Sequence, residues 1–306
     1  MHDIIIVGGG PAGMTAALYA VRNGKSALVL EKAGFGGQIT YSPRVENFPG
    51  SLSMSGNEFA DRMLEQILAQ GAEVEVETVT GISDEGEYKL VHTESGSDFM
   101  AGAVVIAAGV KHRMLGLPGE NELVGNGISF CALCDGEYYK GLTVAVAGGG
   151  NSALQEASLL ADVCKEVVMI QDLDFFTGEE TLAKALLGRP NVRAYTGTAI
   201  EEIITGESGF SGLRLRKKSS GKTTELSCDG LFVAIGLIPE NSAYSGLVSL
   251  DGAGYIASGE DCATGHPGIF AAGDCRAKRV RQLTTAAADG AVAALAACEY
   301  INNKCV

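Results

Sequence analysis

The feature that most constrains this chain is a glycine cradle written twice. A strand-forming run, Asp3–Val7, leads into Gly8-x-Gly10-x-x-Gly13; an Ala-rich stretch of helical spacing (Ala12–Asn23) follows, and then a second strand-like run, Ser26–Leu30. In a βαβ unit the first glycine permits the tight turn, and the second lets a pyrophosphate approach the backbone. The third lets helix and strand pack closely, and the helix start offers amide donors. Glu31, 23 positions past Gly8, is placed to bind an adenosine ribose hydroxyl. In mid-chain the pattern returns: strand Leu142–Ala147, turn Gly148–Gly150, helix Ser152–Ala161 and strand Glu166–Ile170, with Asp172 24 positions past Gly148. A duplicated βαβ nucleotide-binding unit predicts an α/β fold with parallel sheets.

Further strands are expected at Ala103–Ala107, Gly230–Ile235 and Gly268–Ala271. Glu73–Val79 and Tyr88–His92 read as a meander between the strands of the first unit, Leu213–Glu225 as an exposed hairpin, and Leu283–Tyr300 as the last helix. Glycine supplies 42 of 306 residues, twice the usual share of about 7%. With only 7 Pro and no G-X-Y period, that excess belongs to turns and close approaches, not to collagen or a disordered linker. The length suggests two domains. A net charge of −14 argues against coating nucleic acid. The opening MHDIIIVGGG shows no secretory pattern, and no uncharged apolar run reaches the ~18 residues of a membrane span. The chain therefore reads as cytoplasmic, with neither nucleic acid nor membrane as partner.

Eight cysteines stand at 131, 134, 164, 228, 262, 275, 298 and 305, too sparse for a disulfide scaffold. Only Cys131 and Cys134 are closely spaced. In a reducing compartment such a pair is catalytic or metal-binding. Two thiols three apart can close a small, reducible disulfide, and a helix start lowers a thiol's pKa. Asp135 beside them is a candidate acid for the departing thiolate or a flavin adduct. A zinc site would need a second C-x-x-C or a His pair at ligand spacing; neither is present among 4 His, so no metal is expected. The other six cysteines read as packing residues. In the second cradle, Asp172 suits a ribose 2′-OH, as NADH requires, whereas a 2′-phosphate needs Arg or Lys. The neighbourhood, QDLDFFTGEE, carries Asp172, Asp174, Glu179 and Glu180 and no base.

The motifs GGGPAG (8–13), GGQIT (36–40), VENFPG (45–50), CALCDG (131–136), GGGNSALQEA (148–157), FVAIGLIPEN (232–241), GIFAAGDC (268–275) and RQLTTAAADG (281–290) run through the chain. On these it resembles the low-molecular-weight thioredoxin reductases, FAD-dependent pyridine nucleotide-disulfide oxidoreductases, over essentially its whole length. The resemblance implies two Rossmann-like three-layer dinucleotide-binding domains, the second inserted into the first. Residues 1–113 and 246–306 would bind FAD, and 114–245 would carry the redox C-x-x-C. FAD would lie on Gly8, Gly10, Pro11, Ala12, Gly13, Glu31, Lys32, Gly109 and Gly273. Gly37 and Gln38 would sit near its diphosphate and ring, and Asn47 would face the isoalloxazine. Asp274 would meet the ribityl chain, and Arg281, Gln282 and Leu283 would follow the pyrimidine edge. Cys134 would face the flavin while Cys131 exchanges with a thioredoxin-type disulfide. A homodimer and a rotating central domain are implied as well.

One departure stands out. Relatives that use NADPH carry a basic H-R-R…R motif after the second cradle's second strand, where this chain has Gln171, Asp172 and Leu173. It thus resembles the branch that takes electrons from ferredoxin or otherwise dispenses with pyridine nucleotides, and Gly148, Gly150 and Asp172 are read as a site poorly suited to NADPH. The donors rank ferredoxin, then NADH through Asp172, then NADPH. A basic stretch, Arg276, Lys278, Arg279 and Arg281, would steer an acidic ferredoxin, or else form a solvated loop touching FAD phosphates. Two readings of another class stay open: a flavin-bearing regulator that binds without cycling, and a disulfide oxidase using O₂.

Overall fold

A computed structural model describes residues 1–207 and 209–304; Cys305, read above as a packing residue, lies outside them. The chain divides into two compact units, residues 1–111 with 238 onward, and residues 112–237.

The first unit opens with β1 (His2–Val7), α1 (Pro11–Arg22) and β2 (Ala27–Glu31). Ile4, Ile5 and Ile6 are all fully buried. Their β-branched side chains favour extended backbone, and an unbroken apolar run suits a parallel strand covered on both faces. Gly13 is the close-packing glycine, because a Cβ there would sit 1.9 Å from the Gly8 carbonyl oxygen. Next comes α2 (Gly56–Ala69), which the periodicity reading missed although its start was written in the sequence. Ser55 accepts the Glu58 N–H at 3.1 Å, the S-x-x-E arrangement of a capping box.

β3 (Glu73–Val76), β4 (Val79–Asp84), β5 (Lys89–Thr93) and β6 (Asp98–Ile106) complete the first arm. The sheet order is β3-β2-β1-β6-β5-β4. Here the expected meander is corrected: Glu73–Val76 pairs parallel with β2, Leu28 opposite Glu73, and only β4, β5 and β6 run antiparallel. Its alternating Glu-Val-Glu-Val pattern is that of an edge strand with a wet face.

The chain leaves through β7 (Val110–His112) and builds the second unit from α3 (Glu120–Leu123), β8 (Ile128–Ser129), α4 (Ala132–Asp135), β9 (Thr143–Ala147), α5 (Asn151–Val163), β10 (Glu166–Ile170), α6 (Glu180–Leu187) and β11 (Val192–Tyr195). β12 (Thr198–Gly206), β13 (Gly209–Lys217), β14 (Thr223–Ser227) and β15 (Gly230–Val233) follow. The parallel sheet runs β11-β10-β9-β15-β8, and β12-β13-β14 form a separate antiparallel sheet. The expected hairpin therefore gains a third strand, and it is exposed on one face only. Leu213, Leu215 and Leu226 are buried in one cluster with Val168 and Ile170. The alternate residues Arg214 and Arg216 face out and pair with Glu202 and Glu225, and with Glu201.

The return begins with β16 (Leu237–Pro239), which forms a two-stranded sheet with β7. The first unit thus resumes at residue 238, where the resemblance had placed Gly246. β17 (Ile269–Ala271) joins β6 in parallel, and α7 (Leu283–Lys304) closes the unit. α7 crosses α1 on small residues: Ala16, Ala17, Ala20, Ala293, Ala294 and Ala297 are fully buried, and a Cβ on Gly290 would lie 2.1 Å from the Ala12 carbonyl oxygen. Such contact fixes the start of α1, and with it the first cradle.

Candidate active site

The first cradle is tied by its own carboxylate. Glu31, closing β2, accepts the Gly9 N–H at 2.6 Å and the Ala33 N–H at 3.0 Å. Pro11 opens α1, and Gly8 turns at φ 108°. Beside them lies a cavity of about 230 Å³ lined by Val7, Gly8, Glu31, Lys32, Thr78 and Tyr244. Lys32 at its wall pairs with Glu240 at 2.5 Å, and Lys111 meets the same carboxylate at 2.7 Å.

Asp274 stands on the turn Gly273–Cys275 that follows β17. Gly273 faces α1, where its Cβ would be 2.8 Å from that of Ala12. Asn241, buried and not foreseen from the sequence, braces the turn by donating to the Cys275 carbonyl at 2.8 Å and the Gly254 carbonyl at 2.9 Å. The Asp274 Oδ1 is buried without a hydrogen-bond partner. Burial pushes this carboxyl up, with Lys278 opposing from 3.6 Å. Nearby, the Asn47 amide reaches Gln282 at 3.5 Å, and Arg281 donates to the Asp274 carbonyl while lying 4.1 Å over the Tyr255 ring. Gly37 and Gln38 open a 3₁₀ turn, Gly37–Tyr41, and Leu283 opens α7. Gly109 turns at φ 66° after β6. Glycine cradle, ribose-type carboxylate, adjoining cavity and an orphaned buried carboxyl oxygen together fit FAD.

The basic stretch corrects one expectation. Arg276 is buried and donates to Asp289 at 2.8 Å; Lys278 meets the same carboxylate at 2.9 Å. Arg281 is engaged with Tyr255, which leaves Arg279 as the exposed cation of the four. Asp289, on the second turn of α7, supplies the countercharge that turns the stretch inward, so it offers no broad basic face to an acidic partner. Asp289 also accepts the Gly273 N–H at 3.0 Å. Burial would raise this carboxyl's pKa, but Arg276 and Lys278 hold it below the usual range.

In the second cradle the position matching Glu31 is filled by Gln171, one residue before the Asp172 chosen by spacing. A Cβ on Gly149 would lie 2.5 Å from the Gln171 side chain, as one on Gly9 would lie 3.0 Å from the Glu31 Cβ. The returning loops also match: Thr177 and Gly178 donate to the Gly149 carbonyl at 2.9 Å, as Gly36 does to Gly9 at 2.8 Å. Gln171 is buried and spends its amide on the Phe175 carbonyl. Asp172 pairs at 3.1 Å with Lys218, a base from the turn after β13 that lies too far along the chain for a local reading to include. Its neighbour Lys217 donates to the Thr196 carbonyl. Around Gln171, Asp172 and Leu173 both nearby lysines, Lys217 and Lys218, are engaged.

Cys131 and Cys134 form a disulfide with Cα atoms 5.3 Å apart. Cys131 caps the single turn of α4, and the Cys134 N–H points to its sulfur at 3.1 Å. Ser129 Oγ accepts the Cys131 N–H at 3.2 Å and donates to Asp135 at 2.5 Å. The other Asp135 oxygen is buried without a partner, and burial raises this carboxyl's pKa while Ser129 opposes. Glu156 on α5 accepts the Ala132 N–H inside the Cys-Ala-Leu-Cys turn. Leu133, between the cysteines, is 55% exposed. By contrast Cys164, Cys228, Cys262, Cys275 and Cys298 are buried, and burial pushes Cys164 up to about 11 and Cys228 to about 12. Thiols so placed are poor nucleophiles at neutral pH.

Fold and site define a disulfide oxidoreductase built on nucleotide cradles. The family described as "Pyridine nucleotide-disulphide oxidoreductase" matches residues 2–290. Thioredoxin reductase of Treponema pallidum is 39% identical over 305 residues, covering 98% of this chain and 97% of the relative. A "34.2 kDa protein in rubredoxin operon" of Clostridium pasteurianum is 37% identical over 99% of this chain and 98% of its own. The crystal structure of thioredoxin reductase from Streptococcus pyogenes superposes with a TM-score of 0.94 at 35% identity, covering 99% of both chains. The chain belongs to the pyridine nucleotide-disulphide oxidoreductase family, in its low-molecular-weight thioredoxin reductase class, and is an FAD-dependent disulfide oxidoreductase.

Proposed function

We propose that this enzyme reduces the disulfide of a thioredoxin-type protein with electrons from a ferredoxin-type one-electron carrier. The observation that carries the choice of donor is the second cradle's wall, where Gln171, Asp172 and Leu173 stand and Lys218 is held by Asp172.

Bound on the first cradle, FAD supplies the two-electron store between a one-electron donor and a dithiol. Asp274 offers the carboxyl oxygen that lacks a hydrogen bond to a hydroxyl of the cofactor, and Asn47 and Gln282 brace each other. In the exchange, the Cys131 thiolate attacks one sulfur of the partner disulfide; a mixed disulfide forms and one partner thiolate leaves. The Cys134 thiolate then attacks the Cys131 sulfur, closing the Cys131–Cys134 bond and releasing the second partner thiolate. The two protons of the dithiol end on the partner's two thiols. Asp135, its pKa raised, is the side chain placed to hold and pass them. The same reading takes the enzyme as a cytoplasmic homodimer, which light scattering and cell fractionation test.

The functional test counts thiols released from oxidised thioredoxin under anaerobic conditions. Reduced ferredoxin, NADH and NADPH are each supplied at equal reducing equivalents. Multiple turnovers with ferredoxin, and few with either nucleotide, are expected. Turnover with a nucleotide alone refutes the donor. Binding of thioredoxin without turnover makes the chain a regulator, and peroxide formed under air makes it an oxidase.

A further inference from the structure

Asp135 is not the only half-buried carboxyl at the dithiol. Glu156 lies in the middle of α5, the helix that follows the second glycine turn, and it reaches up to α4. Its Oε2 accepts the Ala132 N–H, the amide joined directly to Cys131, so the carboxylate stands one peptide bond from the exchanging cysteine. The two helices meet closely where Gly136 faces Leu160, at 3.4 Å from a Cβ built there. Glutamate is an expensive residue for such a place, since burial disfavours its charge. Glutamine, of the same length, would accept the same amide without that cost.

The charged surroundings of Glu156 are few. Asp135 on α4 is the group that acts on it, and both burial and Asp135 raise its pKa while the Ala132 amide lowers it. Asp135 in turn acts on Tyr139, which also feels Asp229, Cys164 and Tyr138. On the remaining turns of α5, Asp162 is paired with Arg189 at 2.5 Å. On α6, Lys184 pairs with Glu180 in solvent.

We propose that Glu156 is a positioning residue of the dithiol: it holds the Ala132 amide at the head of the Cys131–Cys134 turn and sets a second carboxyl beside Asp135 at the base of that turn. This rests on the reading of Cys131 and Cys134 as the exchanging pair. An anionic neighbour disfavours a thiolate, so the charge of Glu156 raises the pKa of the dithiol.

The test uses the holoenzyme with its dithiol chemically reduced under anaerobic conditions, so neither electron donor nor thioredoxin enters. Alkylation of Cys131 and Cys134 by iodoacetamide is followed by mass spectrometry against pH. Glu156→Gln keeps an acceptor for the Ala132 N–H and removes the charge; Glu156→Asp keeps the charge. The expected result is an alkylation midpoint lowered by about half a unit in Glu156→Gln, roughly threefold more thiolate on the acid side, with Glu156→Asp close to wild type. A Glu156→Gln profile that overlays wild type overturns the proposal. So does an equal shift in both variants, which would mark a merely structural contact. Should thioredoxin prove not to be the substrate, the alkylation profile still reports on Glu156, so the two readings fail separately.

Discussion

Replacing Asp289 by Asn strikes the knot that holds the loop between Asp274 and Gln282. In the native protein that carboxylate takes Arg276 at 2.8 Å, Lys278 at 2.9 Å and the Gly273 N–H at 3.0 Å, with only 12% of its side chain exposed. Asn keeps the shape and one acceptor but leaves buried Arg276 without an anion and Lys278 with only Asp274, at 3.6 Å. Breaking a buried pair from one side costs about 3–5 kcal/mol. Because one acceptor survives, the lower end applies, about 3 kcal/mol. For a unit of this size each kcal/mol moves the midpoint by about 2–4 °C, so scanning calorimetry of the purified protein should place Tm lower by roughly 6–12 °C.

The pH dependence has a definite sign. A carboxyl whose folded pKa lies below its ordinary value binds fewer protons folded than unfolded, so its stabilisation is complete above the ordinary aspartate value of 3.8 and fades as pH falls through the lower, folded pKa. The gap between wild type and Asp289→Asn should therefore be constant at neutral pH and close only below the ordinary aspartate range. FAD affinity, read from the fluorescence of released flavin, should weaken by at least about tenfold, or ~1.4 kcal/mol, since the Asp274 turn loses its anchor. A Tm within about 2 °C of wild type, or a gap that closes near neutrality, would falsify the knot as the device that orders this loop.

Other expectations follow from the two remaining sites. Cys134→Ser should keep full flavin content yet release no thiols from thioredoxin; thiol counting beside a flavin spectrum checks both, and undiminished reduction removes its assigned role. Building a basic wall with Asp172→Arg, Leu173→Arg and Thr177→Arg should speed NADPH-driven flavin reduction at least tenfold, since charge-assisted hydrogen bonds contribute about 1.5–3 kcal/mol each. No gain in rapid-mixing experiments would mean that the second cradle is closed to nucleotides for some reason other than charge.

The parts of this fold legible in the sequence are those fixed by short-range geometry. Both glycine turns, their helices and the strands before and after them follow from spacing, because a turn that admits only glycine and a fully buried Ile or Val run leave few alternatives. Local charge was a poorer guide. Arg276 and Lys278 look like a solvent-facing basic run until α7 brings Asp289 against them, a partner 11–13 residues further along. The nearest acid in the second cradle is Asp172, 24 positions past Gly148, yet the first cradle's 23-position interval and three-dimensional equivalence both fall on Gln171, and a one-residue difference in spacing turns a strand-end side chain to the other face. Glu156 and Asn241 gave no local signal, since each acts on backbone of another element. β3 read as meander because its pairing with β2 is set by α2, a helix whose capping pair Ser55 and Glu58 was present but not used.

The measurement that bears most directly on the whole account is anaerobic stopped-flow absorbance of the bound flavin, mixed in turn with reduced ferredoxin, NADH and NADPH. The account predicts rapid bleaching by ferredoxin followed by appearance of free thiols at Cys131 and Cys134, with both nucleotides slow. Rapid bleaching by NADPH at low concentration would contradict it, because the wall of Gln171, Asp172 and Leu173 would then be holding a phosphate without a free base to meet it.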